Sequence, residues 1–359
     1  MQRRSVLKGM LASSLAWQVG GAQACSLVFV NDRSVAKVVV RSMDLPKRFP
    51  EDPKLFVLPR GMARDSGRGC IPGVRAAVEG IAGKPLQWTS TYGSVAMISF
   101  KGFATDGINE KGLAAHLLVL EDSRHEAKDA RPDLPDVAWA QYVLDQFASV
   151  REVVDAHRAG GFRVVAGWSH DVGYPKPLGL HLAVQDDSGD AAIFEYVNGE
   201  LVVHHGADYR VMTNDPPMDE MLVRLKQYKG FGGNAPLPGD VDPEHRFVRL
   251  MEYYKFLPQA KGYTDAVANA LSLLRIAQIP ARQVNGGDKE FWSDVQTNWV
   301  SAADVTNRIY YVNSSTVPSL LWVDLGKVDL RRGAPLKFLD PHDGSVGGDA
   351  WIHLKTWKA

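Results

Sequence analysis

Cysteine, net charge and long apolar runs are all scarce in this chain, and each scarcity excludes a class of protein. Only Cys25 and Cys70 occur among 359 residues. That is too few for a disulfide scaffold, and neither belongs to a C-x-x-C pair. No H-E-x-x-H and no histidine cluster accompanies them, so no metal site is indicated and no cofactor is expected. Lys+Arg and Asp+Glu balance at 41 each, which provides none of the basic surface that nucleic acid requires. The apolar stretch from Met10 to Val19 is shorter than the roughly 20 residues that cross a bilayer, so stable membrane insertion is not expected. Linkers, internal repeats and low-complexity segments are missing as well. With 45% hydrophobic and 23% charged residues, the chain reads as one large globular domain over residues 25–359, preceded by a leader.

The leader is Met1 to Ala24. Arg3, Arg4 and Lys8 form a basic start, and small residues close it, with Ala22 and Ala24 in the A-x-A spacing of a signal-peptidase site. Arg3-Arg4-Ser5-Val6-Leu7-Lys8 resembles a twin-arginine export signal. The expectation is removal of residues 1–24 and a periplasmic or secreted mature chain. It would carry 38 Lys and Arg against 41 acidic residues, once the three basic residues of the leader are gone.

Cleavage there makes Cys25 the first residue, with a thiol and a free α-amine together. An α-amine of pKa about 7.7–8.0 accepts a proton near neutrality, and the thiolate is the nucleophilic form of sulfur. A nucleophile with its own base is what covalent acyl transfer needs. Two other readings stand beside it. Cys25 could pair with Cys70, since export permits a disulfide. It could also be lipidated, although Ala22 stands where Leu would be expected.

Strand signals run over Ser26–Val30 and Val35–Val40, broken at Asn31-Asp32-Arg33 and ending in Arg41-Ser42-Met43-Asp44. Arg41 and Asp44 are either a surface ion pair or, if the hairpin returns beside its start, a charge pair tuning the thiol. A strand-rich run from Trp88 to Phe100 follows. Asp106–Leu113 reads as a glycine-bearing turn feeding a strand from Leu113 to Leu120. The period changes to helical between Asp136 and Ala159, with a Ser149/Glu152 capping box and a stop at Gly160-Gly161. Strands resume at Leu182–Val184, Ala191–Tyr196 and Leu201–His204. Asn214, before Asp215-Pro216-Pro217, is either turn chemistry or an amide donor for an oxyanion. Helices are expected from His245 through Tyr254 and from Thr264 to Leu274, and strands at 298–303, 308–312 and 320–324. Strands, helices, strands, helices, strands in that order argue for α+β layering with antiparallel sheets.

Taken in order, these pieces resemble the choloylglycine hydrolases, which include penicillin V acylases and conjugated bile salt hydrolases. The similarity runs from Cys25 through Arg41-Ser42-Met43-Asp44, Asp106-Gly107-Ile108-Asn109-Glu110-Lys111-Gly112-Leu113 and Met212-Thr213-Asn214-Asp215-Pro216. It continues through Leu237-Pro238-Gly239-Asp240 and Arg246-Phe247-Val248-Arg249 to the last strands. The resemblance implies an N-terminal nucleophile hydrolase with a four-layer αββα sandwich of antiparallel sheets. It implies Cys25 as nucleophile with its α-amine as base, Asp44 as the orienting carboxylate and Arg41 as the charge favouring thiolate. Asn214 is then the oxyanion donor and Arg246 the remaining active-site arginine. Val119 departs from the pattern, standing where many members carry Asn or Tyr, so only its backbone N–H is left to serve the oxyanion. His116 to Val119 resemble the apolar version of this segment in exported enzymes of Gram-negative bacteria, which act on penicillin V and on N-acyl homoserine lactones. The function implied is hydrolysis of a linear, non-peptide amide in a small N-acyl substrate of the penicillin V, N-acyl homoserine lactone or bile-salt type. The alternative is a lipid-anchored binding protein on the same fold, with Cys25 modified. A homo-oligomer stays open.

Overall fold

The computed structural model describes residues 24–31, 35–46, 51–74, 78–167, 179–281 and 295–358. The leader up to residue 23 lies outside them, as do Asp32 and Arg33 of the expected break. The chain opens with strands β1 (Ala24–Asn31), β2 (Lys37–Pro46) and β3 (Lys54–Leu58), then a small pair, β4 (Ala63–Asp65) and β5 (Gln87–Thr89). Consecutive strands β6 (Ser94–Ser99), β7 (Phe103–Asn109) and β8 (Ala114–Val119) follow. Short β9 (Asp133–Pro135) leads to helices α1 (Trp139–Gln146) and α2 (Val150–Ala159) and to β10 (Arg163–Val165). A meander of β11 (Leu180–Gln185), β12 (Ala191–Val197) and β13 (Glu200–His205) precedes β14 (Val211–Met212). Helices α3 (Met218–Leu225), α4 (Pro243–Tyr254) and α5 (Tyr263–Arg275) come next. The chain closes with β15 (Val295–Asp304), β16 (Ile309–Ser314), β17 (Leu320–Asp324), β18 (Lys337–Leu339), β19 (Gly348–Asp349) and β20 (Lys355–Thr356).

Two large sheets carry most of these strands. One has the order β14-β1-β2-β15-β16-β17-β19, the other β13-β12-β11-β8-β7-β6-β3-β18-β20. Helices α4 and α5 pack on β1 and β2 of the first sheet, and α1 and α2 on the outer face of the second. The inner faces meet where β1 touches β8 and β15 touches β7. This is the expected αββα layering, and the pairing within both sheets is almost wholly antiparallel. Among the described residues no helix is long and apolar enough to cross a membrane.

The layering explains why some strands read poorly as alternating patterns. β2 has the sheet's neighbour on one face and α5 on the other, so all its residues after Lys37 are buried. A strand covered on both faces carries a continuous apolar run, here Val38-Val39-Val40, rather than alternation. Side chains of β6 divide cleanly: Val95 and Met97 enter the core between the sheets, Ala96 and Ile98 the core beneath α1. Each fully buried Val, Leu or Phe in these cores contributes about 1.5–3 kcal/mol. The Ser149 hydroxyl accepts the Glu152 backbone N–H and Gly160 ends α2 at φ 67°, as the sequence predicts. The Glu152 carboxylate, however, accepts from Ala148 and not from the cap residue.

Several boundaries need correction. Arg41 to Asp44 do not follow the second strand but lie inside it, since β2 continues to Pro46. Asp106 to Asn109 belong to β7, and only Glu110 to Leu113 turn. The strand expected from Trp88 to Phe100 is split at Ser90–Gly93 into β5 and β6. The helix expected from His245 starts earlier, at Pro243, and α3 has no counterpart in the sequence reading.

Candidate active site

The register of the first hairpin builds the site. Pairing of Cys25 with Met43 and of Leu27 with Arg41 puts all four side chains on one face of the sheet, toward the second sheet. Ser26, Ser42 and Asp44 point to the other face, toward α4. Cys25 is therefore interior, 2% exposed, at the seam of three layers.

Its surroundings come from five other elements. Arg41 Nη2 lies 3.8 Å from Cys25 Sγ, 3.3 Å from Met43 Sδ and donates to the Leu117 carbonyl of β8 at 3.0 Å. The Cys25 backbone N–H donates to Asn214 Oδ1 at 2.6 Å, just beyond β14. From α4, Arg246 Nη1 donates to the Cys25 carbonyl at 2.5 Å and to Ser26 Oγ at 2.6 Å, while its Nη2 donates to Asn214 Oδ1 at 3.0 Å. Asp44 accepts from Ser42 Oγ at 2.8 Å and from Thr297 Oγ1 of β15 at 2.5 Å. Asn214 Nδ2 donates to the Val119 carbonyl at 2.8 Å. The six residues singled out from the sequence thus converge: Cys25, Arg41, Asp44, Asn214 and Arg246 directly, and Val119 through its carbonyl.

Burial sets the electrostatics. It pushes the Cys25 thiol up, against the opposing pull of the Arg41 guanidinium. It raises the Asp44 carboxyl to about 6, although Arg246, Thr297 and Ser42 all favour the charged form. Arg246 is pulled down from the usual guanidinium range by the same desolvation, with Asp44 opposing. A buried thiol flanked by two guanidiniums and one carboxyl, with burial shifting three of the four groups, is the kind of perturbed cluster that marks a functional site.

Three groups behind Arg41 were not found from the sequence. Asp106 Oδ2 lies 4.0 Å from Arg41 Nη1, His116 Nδ1 donates to that same oxygen at 2.5 Å, and Tyr310 Oη donates to Oδ1. The Trp299 ring lies 4.6 Å from Arg41 Cζ, a cation–π contact. Two β-bulges aim these side chains. At Thr105 the register of β7 shifts, so Asp106 faces inward although Ala104, two residues earlier, faces outward. At Asn298 the register of β15 shifts, so Thr297 pairs with Asp44 while Trp299 pairs with Met43 on the opposite face. One signal was available: a hairpin turning at Glu110–Leu113 places Asp106 directly opposite His116.

The disulfide reading of Cys25 is not met, since both cysteines are free. Cys25 belongs to the core between the sheets, and Cys70, partly buried, packs against the core under α1. Among the described residues, one group has metal-ligand spacing, Asp240, Asp242 and His245, with both aspartates exposed.

Comparison with known proteins agrees with this geometry. The family described as linear amide C-N hydrolases, choloylglycine hydrolase family, matches residues 25–344. A penicillin V acylase of Pectobacterium atrosepticum is 34% identical over 342 residues, covering 89% of this chain and 86% of that protein. A bile salt hydrolase/transferase of Clostridium perfringens is 26% identical over 253 residues, covering 63% of this chain and 73% of the other. The solved penicillin V acylase of Agrobacterium tumefaciens superposes with a TM-score of 0.77 at 33% identity, over 93% of this chain and 98% of its own.

Proposed function

This chain belongs to the choloylglycine hydrolase family of linear amide C-N hydrolases, and we propose that it cleaves a small N-acyl amide through an acyl-cysteine on Cys25. The observation that carries the reading is the placement of Cys25 Sγ beside Arg41 while its own nitrogen is held by Asn214. Removal of residues 1–24 on export to the periplasm or the exterior frees that nitrogen as an amine. The amine takes the thiol proton, and the thiolate attacks the substrate carbonyl carbon. A tetrahedral oxyanion forms, with Asn214 Nδ2 and the backbone around Val119 as its donors. The C–N bond breaks, the α-ammonium returns its proton to the departing amine, and a thioester remains on sulfur. Water, deprotonated by the same amine, then attacks the thioester and releases the acid. Asp44 and Arg246 hold the amine, the carbonyl of Cys25 and Asn214 in register.

Likeness to a penicillin V acylase over most of both chains supports an apolar or aromatic acyl group as the preferred substrate part. Penicillin V heads the substrate set, ahead of N-acyl homoserine lactones and conjugated bile salts. The test has two arms. Hydrolysis of those three amides, followed by amine release, ranks the substrates. A chain with bulky residues at positions 22 and 24 keeps its leader, and its Cys25 nitrogen stays an amide that cannot accept a proton. It should fold and be inactive; full activity from it defeats the mechanism. The mass of the N-terminal peptide separates this reading from a lipid-anchored binding protein, in which Cys25 would be modified.

A further inference from the structure

Arg41 is a guanidinium with its hydrogen bonds largely unmade. Neither Nε nor Nη1 makes one, and Nη1 has only the 4.0 Å approach to Asp106. An ionised carboxylate in a buried site would ordinarily close on such a neighbour with two parallel N–H···O bonds. Here it does not: His116 Nδ1 holds Oδ2 and Tyr310 Oη holds Oδ1, and these two bonds fix the carboxylate in an orientation that keeps it 4.0 Å from Nη1. Burial alone would raise Asp106, but His116, Arg41 and Tyr310 together keep it below the usual carboxylate range, so it is the charged form that they bind. Burial and Asp106 both drive Tyr310 well above its ordinary value, which keeps its proton on the phenol as a donor. His116 Nε2 has no hydrogen-bond partner. Its built contact is the one toward Asp106.

We infer that His116 and Tyr310 are positioning residues which, by engaging Asp106, leave the Arg41 guanidinium aimed at Cys25 Sγ instead of locked to its own carboxylate. The inference rests on the reading of Cys25 as nucleophile. The charged and titratable groups around the pair are Arg41 and Asp44 from β2, Arg246 from α4, Asp106 from β7, His116 from β8 and Tyr310 from β16. Of these, His116 and Tyr310 touch neither the thiol nor any group bonded to Cys25, so their effect on sulfur passes through Asp106 and Arg41. Without His116, the free Oδ2 is expected to close on Arg41 Nη1, drawing positive charge from the sulfur and raising the thiol pKa.

The test is the pH dependence of Cys25 alkylation by iodoacetamide in the leader-free protein, in a Cys70→Ser background so that one thiol is read. His116→Leu should raise the apparent thiol pKa by about one unit, seen as about tenfold slower alkylation at pH values below it. Tyr310→Phe should move it the same way by less. His116→Asn keeps an N–H donor where Nδ1 stands and should restore most of the rate. Unchanged profiles in folded His116→Leu and Tyr310→Phe would overturn the inference, as would an Asn variant no better than the Leu variant, since volume would then be what matters. If His116→Leu does not fold, Tyr310→Phe and His116→Asn still decide it. Alkylation does not depend on turnover, so the inference can fail while Cys25→Ser still abolishes hydrolysis. If Cys25→Ser keeps its turnover, the underlying reading fails instead.

Discussion

The two cysteines make a natural comparison, because each has an arginine and an aspartate beside it. Cys70 lies against the core under α1, next to Arg64 and Asp145; Cys25 lies between the sheets, next to Arg41 and Asp44, with Asp106 behind that arginine. Arg64 Nε donates to Asp145 Oδ2 at 3.0 Å, and its Nη1 donates to the carbonyl of Cys70, not to the sulfur. Arg41 is the reverse: loose from its carboxylate, with Nη2 turned to sulfur. Desolvation pushes the Cys70 thiol up to about 11, with Arg64 opposing and Asp145 adding to the rise. Burial pushes the Cys25 thiol up as well, so a guanidinium near a thiol is not enough to activate it. The two sites differ in whether the guanidinium's charge is already spent on a carboxylate partner.

The strongest way to break the comparison is to exchange sulfur for oxygen at both positions. Cys25→Ser should lose turnover by orders of magnitude while its melting temperature holds, because an alcohol is a far poorer nucleophile than a thiolate near neutrality. Cys70→Ser should keep most of the activity. Equal losses in the two variants would make the cysteines alike after all. Next in size is Asn214, which has no counterpart around Cys70. Removing a well-aimed oxyanion donor costs roughly 2.7–4 kcal/mol, so Asn214→Ala should lower kcat about 100-fold or more with KM within a few-fold. Counting active sites with a thiol-reactive titrant gives kcat per folded molecule. Normal turnover on that basis would reduce Asn214 to a turn residue before Asp215-Pro216-Pro217.

The smallest effect sharpens the comparison through stability. Asp44 titrates at about 6 in the folded protein, above its ordinary value of about 3.9. Folding thus favours the protonated form. The stability this contributes is complete below about pH 4 and is lost as pH rises through about 6. Asp44→Asn cannot ionise, so between pH 4 and pH 8 its unfolding free energy should gain on the wild type by at most about 3 kcal/mol. Urea titrations at the two pH values measure it, and a gap that does not change with pH means Asp44 titrates normally. Activity should fall in the same variant that gains stability.

Much of the architecture was legible because its signals are local. The Ser149 cap and Gly160 stop, the β11 to β13 meander and the C-terminal strands follow from spacing and turn residues. Cys25, Arg41, Asp44, Asn214 and Arg246 were legible only as types in an ordered set of motifs, since residues up to 221 positions apart meet. The network behind Arg41 was not legible. Asp106 reads as a turn residue because Gly107 and Asn109 follow it, yet the hydrogen bonds of β7 hold that glycine in a strand. The bulges at Thr105 and Asn298 invert the side-chain alternation from which inward and outward faces are read. Without them Asp106 and Trp299 would face away from Arg41.

Arg246 gives the site an order of arrival. Its guanidinium joins the Cys25 carbonyl and Ser26 to Asn214, and β1 is complete only when β14 pairs with its outer edge. Arg41 and Met43 follow the thiol closely along the chain, but Asn214 and Arg246 are made 189 and 221 residues later. Contacts so distant along the chain form slowly. A partly synthesised chain therefore carries the cysteine without the Arg246 clamp that joins its carbonyl to Asn214. With Arg246 at position 246 of 359, the surroundings of the thiol stay incomplete until roughly two thirds of the chain has been made.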